Sequence, residues 1–178
     1  MTTGSLKTAL ALWISALLPG VLVIGTRAAN REGQYPECLV TAISCDASEF
    51  VGLPLGTASR RNSDGVVVAE VKTYVETSHY RLSFRAVDTH TSLGQKQVEL
   101  LRETIKESVM QLSEVESDVA IVLQDTECNP PVEFPIDSID KETEQDLPPE
   151  LEQDPFLYQC TLTLRLKRTC ETERRVLH

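Results

Sequence analysis

The sequence predicts an α+β fold, a two-layer sandwich in which a mainly antiparallel sheet of about five strands is covered by one long amphipathic helix. Three observations lead to this prediction. Several segments alternate apolar and polar side chains, which is typical of half-buried strands. One segment carries apolar residues at spacings of three and four, which is typical of a helix that covers a sheet. The chain has 178 residues and is 41% apolar, enough for one packed core.

The chain begins with the pattern of a secretory signal peptide. Met1–Lys7 is polar and ends on a positive charge, Thr8–Ile24 is uncharged and mostly apolar, and small residues follow. Cleavage after Ala28 leaves small residues at the positions that signal cleavage requires. We therefore expect residues 1–28 to be removed as a signal peptide and residues 29–178 to form a single secreted α+β domain. Because the apolar run is close to the shortest length that spans a bilayer, a retained signal anchor in a membrane is the alternative.

The first part of the expected domain contains three strand candidates. Glu37–Ser44 is the first, and the Gly- and Pro-containing stretch 50–62 after it predicts a loop. Val66–Glu76 and Tyr80–Val87 both alternate apolar and polar side chains around a short polar break, which predicts an antiparallel hairpin. In the second of these runs, the side chains expected to point away from the core are Arg81, Ser83 and Arg85.

The most regular helix pattern of the domain starts at Ser92. Ser92 and Gln95 fit a capping box. The apolar residues that follow at helical spacing are Val98, Leu101, Ile105, Val109 and Leu112. Charged residues take the opposite side, so we expect this helix to cover one face of the sheet. Val119–Leu123 is apolar throughout, which predicts a central strand. Phe156–Arg168 alternates again and directs Cys160 toward the core.

The segment 133–155 predicts an acidic flexible loop. Glu133–Asp154 is rich in Asp and Glu and contains a single basic residue, Lys141. Low apolar content and repulsion between like charges disfavour a compact fold there. The net charge of the chain is −10, so nucleic acid is not an expected partner, since surfaces that bind nucleic acid are basic. An acidic loop instead favours association with a basic protein partner.

The cysteines are expected to form disulfides, because all of them follow the predicted signal peptide. The candidates are Cys38, Cys45, Cys128, Cys160 and Cys170. A Cys128–Cys160 bridge would close the acidic segment, and Cys38 or Cys45 would pair with Cys170, so that the predicted fold is disulfide-stapled. The chain has 5 cysteines, an odd number that leaves one thiol buried or engaged in a disulfide-linked dimer.

No residue pattern predicts catalysis, a metal site or a cofactor. The histidines at positions 79, 90 and 178 lie outside any nucleophile or zinc motif, and glycine-rich phosphate motifs are missing. We therefore expect a secreted, non-enzymatic interaction module that binds a protein partner on a cell surface or in the secretory lumen. A membrane is a partner only if the N-terminal segment is retained. The alternatives are a secreted protease inhibitor that presents a loop around residues 52–61, and a small secreted hydrolase.

Overall fold

The computed structural model describes residues 4–25, 34–45, 56–89, 92–114, 121–152 and 154–176. Within these ranges the chain forms two helices and eight strands. In chain order they are α1 (Leu6–Leu17), β1 (Leu22–Ile24), β2 (Glu37–Cys45), β3 (Gly56–Arg61), β4 (Val67–Asp88), α2 (Leu93–Glu114), β5 (Ile121–Asp125), β6 (Val132–Ile136), β7 (Ser138–Asp146) and β8 (Phe156–Arg175).

Six strands form a mostly antiparallel sheet in the order β1-β2-β4-β8-β7, and β3 pairs with the N-terminal half of β4. β1 runs parallel to β2, and the other described pairs are antiparallel. The central strands β4 and β8 pair along their whole length, from Ala69 opposite Arg175 to Asp88 opposite Phe156. β5 and β6 form a separate hairpin. These observations confirm the α+β, mainly antiparallel prediction.

One face of the sheet carries the hydrophobic core, and we call it the core face. Its central positions are the fully buried Leu82 and Phe84 of β4 and Leu162 and Leu164 of β8. The predicted helix is α2, whose Val98, Ile105 and Val109 are buried in the same cluster. Side chains of α1 and of the β5–β6 hairpin complete that cluster. Both helices and the hairpin pack on this one face, which is the arrangement expected for a two-layer sandwich.

Helix α1 belongs to this core. The backbone N–H of its N-cap, Ser5, donates a hydrogen bond of 2.9 Å to the carboxylate of Asp125, which is 0% exposed. Leu10 and Ile14 of α1 are also 0% exposed. The segment 1–28, which the sequence predicts to be removed, thus contributes α1 and β1 to the fold of the intact chain. Neither helix in the described part of the chain is long and apolar enough to span a membrane.

Two strand predictions are wrong. The predicted hairpin over 66–87 is a single strand, β4, because Thr77–His79 lacks the Gly or Pro of a tight turn and pairs with β8 instead. The prediction of a central strand at Val119–Leu123 is wrong because β5 pairs only with β6 among the described strands. Its Val122 is 44% exposed, so the apolar run does not reflect burial on both sides.

The acidic segment 133–155 is not a loop over most of its length. It contains most of β6 and all of β7, and β7 pairs with β8. Basic side chains of α2 and β8 contact its carboxylates in three ion pairs: Asp140–Arg165 at 3.4 Å, Glu144–Lys106 at 2.8 Å and Asp146–Arg102 at 2.6 Å. The hydrogen bond from Lys106 lowers the pKa of Glu144. The loop prediction fails because it considers only charges that are close in sequence, whereas the fold adds opposite charges from elsewhere.

The predicted disulfide staple is also wrong. All five cysteines are free thiols, and no two of them lie at disulfide distance. Cys160 is buried beneath α2, whereas Cys128 is buried in the β5–β6 turn beside Asp125. Cys38 and Cys170 lie opposite positions of β4 that are ten residues apart, which is about 33 Å along a strand. Parity along single strands could not reveal these separations, because they depend on how the strands are arranged in the sheet.

Candidate functional site

The face of the sheet opposite the core is the candidate functional site, and we call it the open face. Thr41 and Arg81 on this face are exposed and Thr163 is buried, with 8% of its surface accessible. The other polar side chains of the face are partly exposed: His79, Ser83, Arg85, Thr161 and Arg165. Within the described ranges, both helices and the β5–β6 hairpin pack on the core face. The prediction that Arg81, Ser83 and Arg85 point away from the core is confirmed, because Arg81 is exposed and Ser83 and Arg85 are partly exposed next to the buried Leu82 and Phe84.

The strand register arranges the open face in rows. Thr41, Arg81 and Thr163 occupy one row across β2, β4 and β8. Ser83 and Thr161 are neighbours in the next row. Adjacent strands are about 4.8 Å apart, so side chains from three strands form one continuous surface, which is polar except for Leu39 of β2 opposite Ser83. Its hydroxyl groups donate or accept hydrogen bonds and Arg81 only donates, a combination suited to polar and carboxylate groups of a partner.

Ion pairs hold the borders of the open face. Nη1 of Arg85 donates a 3.2 Å hydrogen bond to Oε1 of Glu37, whose side chain is 0% exposed. On the other border, Nη2 of Arg165 lies 3.4 Å from Oδ2 of Asp140. The Nε atoms of Arg85 and Arg165 are buried and lack a hydrogen-bond partner among the described residues. Arg81, between these borders, is exposed and forms no ion pair within the same part of the chain.

His79 is the one predicted histidine position that the structure describes, since positions 90 and 178 lie outside the described residues. Its Nδ1 atom lies 2.8 Å from Oε2 of Glu142. Ser44 is opposite His79 in the register, but no hydrogen bond joins these two side chains in the described structure. A nucleophilic serine requires a hydrogen bond to its base, so this row does not form the arrangement of a serine hydrolase.

A second polar cluster lies at one end of the core face. Glu76 of β4 accepts hydrogen bonds from Cys45 at 3.4 Å and from Cys170 at 3.2 Å. Nε of Arg168 donates to Glu76 at 2.6 Å, and its guanidinium lies 5.4 Å from the centre of the Phe134 ring. Burial alone would raise the pKa of Glu76, but the hydrogen bond from Cys170 and the charge and hydrogen bond of Arg168 outweigh burial and lower it.

Three thiols have a raised pKa: Cys45 and Cys170 in this cluster, and Cys160 beneath α2. Burial raises the pKa of Cys170 to about 11, and its hydrogen bond to Glu76 acts in the same direction. Burial also raises the pKa of Cys45, and that of Cys160 to about 12. A catalytic or metal-binding cysteine acts as the thiolate, and a raised pKa disfavours that form of these three thiols. The described residues contain no group of three or more His, Cys, Asp or Glu placed to hold a metal ion.

The segment around 52–61, predicted as an inhibitor loop, is only partly described. Residues 52–55 lie outside the described ranges, and Gly56–Arg61 is strand β3, paired with β4. Nη1 of Arg60 forms a 3.0 Å ion pair with Glu173, and Nη1 of Arg61 donates to the backbone oxygen of Gly65 at 2.7 Å. The prediction of a loop over 50–62 is therefore wrong for its second half, and both arginines are engaged within the protein.

The open face combines residues that the sequence indicates only in part. Alternation along β4 identifies Arg81, Ser83 and Arg85, and alternation along β8 places Thr161, Thr163 and Arg165 opposite the apolar residues. That these two sets share one surface follows only from the pairing of β4 with β8. The chain matches no protein-family model and no curated protein at a significant level.

Proposed function

We propose that this protein is a non-enzymatic interaction module of the secretory pathway and that it binds a protein partner through the open face. The observation that carries the proposal is the one-sided architecture. Both helices and the β5–β6 hairpin pack on the core face, while the other face carries polar side chains of several strands, of which Thr41 and Arg81 are exposed and most of the others are partly exposed. A surface positioned by a paired sheet is preorganised, which lowers the entropy cost of binding.

The chemistry of the open face supports a protein partner with carboxylate groups. Arg81 is exposed between hydroxyl-bearing neighbours, and arginine is enriched at protein interfaces, where its guanidinium binds carboxylates in a bidentate manner. The buried Nε atoms of Arg85 and Arg165 supply further donors without an acceptor in the described structure. Small rearrangements on binding would bring these N–H groups to an acceptor of the partner, which recovers about 1–3 kcal/mol for each group.

The location of the protein in the secretory pathway rests on the sequence. The apolar run Thr8–Ile24 and the small residues before Ala28 support entry through a signal peptide. The position of α1 in the core makes the fate of this segment important, because the intact and the cleaved chains differ by a helix and a strand. Intact mass measurement on protein recovered from the culture medium of expressing cells distinguishes a start at Met1 from a start at Ala29.

The binding surface is tested by site-specific photo-crosslinking in secreting cells. A photo-crosslinking amino acid at Ser83 places the probe on the open face, and the same residue at Gln97 places it on the exposed side of α2. We expect a discrete crosslinked species from position 83 only. Arg81→Glu should abolish it, whereas Lys96→Glu, the corresponding charge reversal on exposed α2, should leave it unchanged.

Two results would overturn the proposal. One is equal crosslinking from positions 83 and 97, or crosslinking from position 83 that Arg81→Glu does not alter. The other is turnover of a substrate by the purified protein that a single side-chain change abolishes while the far-ultraviolet circular dichroism stays unchanged. The second result would favour the small-hydrolase alternative. Inhibition in a panel of serine and cysteine proteases would favour the inhibitor alternative instead.

A further inference from the structure

The outer edge of β2 is unusual in this sheet. β4 pairs with β2 on one side from Glu37 to Cys45, but β1 pairs on the other side only with Glu37–Leu39. No strand in the described ranges pairs with that second side of Thr41–Cys45. All five of these residues are exposed, and Ile43 is 47% exposed. An edge with unpaired backbone groups is a template for another strand.

The other edges of the sheet carry features that discourage strand pairing. β7 has alternating carboxylates along its length at Asp140, Glu142, Glu144 and Asp146. β3 ends on Arg60 and Arg61, and β1 is only three residues long. Charged side chains and short strands are the usual protection of natural sheet edges. Thr41–Cys45 (TAISC) contains no charge and no proline. The register of β2 against β4 shifts between Ala42 and Ser44, so a β-bulge at Ile43 is the one protective feature of this edge.

We propose that Thr41–Cys45 pairs in antiparallel fashion with the same segment of a second copy of this chain. A two-fold axis near Ile43 would bring the two exposed Ile43 side chains together and join the two sheets into one. This surface is the sheet edge and shares only Thr41 with the open face, so the proposal rests on different observations from those for binding at the open face.

Charge explains why a second copy fits this edge. In antiparallel self-pairing, each residue faces a residue of the same segment, so a charged strand meets like charges. β7 would set carboxylates against carboxylates, whereas Thr41–Cys45 is neutral. The chain as a whole has a net charge of −10, which repels a second copy elsewhere and leaves an uncharged strand as the favourable point of contact. The exposed Cys45 lies at the end of this edge, but backbone pairing does not require a disulfide.

The test is the oligomeric state of the full chain in reducing buffer, measured by sedimentation velocity over a concentration series. We expect a reversible monomer–dimer equilibrium. Ile43→Lys places two positive charges near the two-fold axis and should raise the dissociation constant at least about tenfold. Gln145→Lys makes the same change in charge on the exposed edge strand β7 and should leave the dissociation constant of the dimer unchanged. Ile43→Ser removes only the apolar contact and should give an intermediate value.

Circular dichroism and thermal unfolding establish that each variant is folded before its association is compared. A wild-type chain that stays monomeric at every concentration overturns the proposal. A dimer that Ile43→Lys leaves intact, or that Gln145→Lys weakens equally, overturns it as well. Arg81→Glu should not affect the dimer, so failure of the edge proposal and failure of the open-face proposal give different results.

Discussion

Replacement of Leu10 by alanine tests whether α1 is a structural helix of the folded chain. Leu10 is 0% exposed and belongs to the central hydrophobic cluster, whereas Leu12 on the same helix is half-buried and lines a shallow cleft beside Trp13 and Val122. Both substitutions remove the same atoms from the apolar run of the predicted signal peptide. They differ only in the environment that the fold gives each side chain, so Leu12→Ala is a matched control for Leu10→Ala.

The expected loss for Leu10→Ala is about 2–5 kcal/mol of unfolding free energy, the range for a fully buried leucine that leaves a cavity. A domain of this size is stable by about 5–15 kcal/mol, so the loss is a large share of the total. Leu12→Ala should cost about 1 kcal/mol, because its side chain is partly exposed and lies at a shallow cleft rather than in the closed core.

The assay is denaturant unfolding of purified chain that retains residues 1–28, as verified by intact mass. The chain has one tryptophan, Trp13, and it lies on α1, so its fluorescence reports directly on this helix. Circular dichroism at far-ultraviolet wavelengths reports on the sheet and α2. If α1 is part of the cooperative core, the two signals change together, and the midpoint falls much further for Leu10→Ala than for Leu12→Ala.

Two outcomes would refute this reasoning. Equal and small effects of the two substitutions would show that Leu10 is not buried in the folded chain. A tryptophan transition at lower denaturant than the circular dichroism transition would show that α1 is not coupled to the core. Protein that is secreted and starts at Ala29 lacks Trp13 altogether, so the loss of tryptophan fluorescence independently reports cleavage.

Three further predictions concern single groups. The pKa of Glu76 is lowered by folding, so its contribution to stability is present above the pKa of an unfolded glutamate and is lost as the pH falls through the folded value. Denaturation midpoints measured over a pH series should therefore show that the stability difference between wild type and Glu76→Gln becomes smaller in acid. A difference that stays constant with pH would contradict this. Brief alkylation of the native, unreduced protein should label the exposed Cys45 first. After denaturation without reductant, all five thiols should react with the alkylating agent, and mass spectrometry counts the labels. Fewer than five labels would indicate a disulfide. Gly94→Ala would press a methyl group into the ring of Tyr158 and should lower the free energy of unfolding by about 1–3 kcal/mol. Lys96→Ala, at an exposed position of the same helix, should change the free energy of unfolding little. Equal melting temperatures of the two variants would disprove the close contact.

The sequence predicts well the elements whose pattern is local. Helical spacing locates α2 to within a few residues, and alternation locates β8 and the inward direction of Cys160, which is 0% exposed. The same alternation assigns Arg81 and Arg165 to the side opposite the core, which is the basis of the open face. These features follow from the periodicity of a single segment, so a single sequence is sufficient to find them.

Features that depend on distant partners are missed. β7 has almost no apolar residues, and it forms because β8 supplies the pairing and α2 supplies Arg102 and Lys106 for its carboxylates. The polar stretch Thr77–His79 resembles a break between strands, but β8 pairs with it throughout. The separation of the cysteines likewise depends on strand order. None of these contacts leaves a signal in the local composition of the segments that they stabilise.

The position of β8 has a consequence for the order of folding. This strand is the last one in the described chain, yet it lies inside the sheet between β4 and β7. β4 pairs with β2 and β3 on its other side, but its β8 side and the whole of β7 stay unpaired in the sheet until Phe156–Arg175 has been synthesised. The contacts with β4 join residues far apart in sequence, which makes folding slow. A nascent chain that stops before Phe156 exposes the β8-facing edge of β4 and leaves β7 without its strand partner. Such a chain is a natural target for chaperones, and premature termination there should yield aggregated or degraded protein rather than a smaller folded domain.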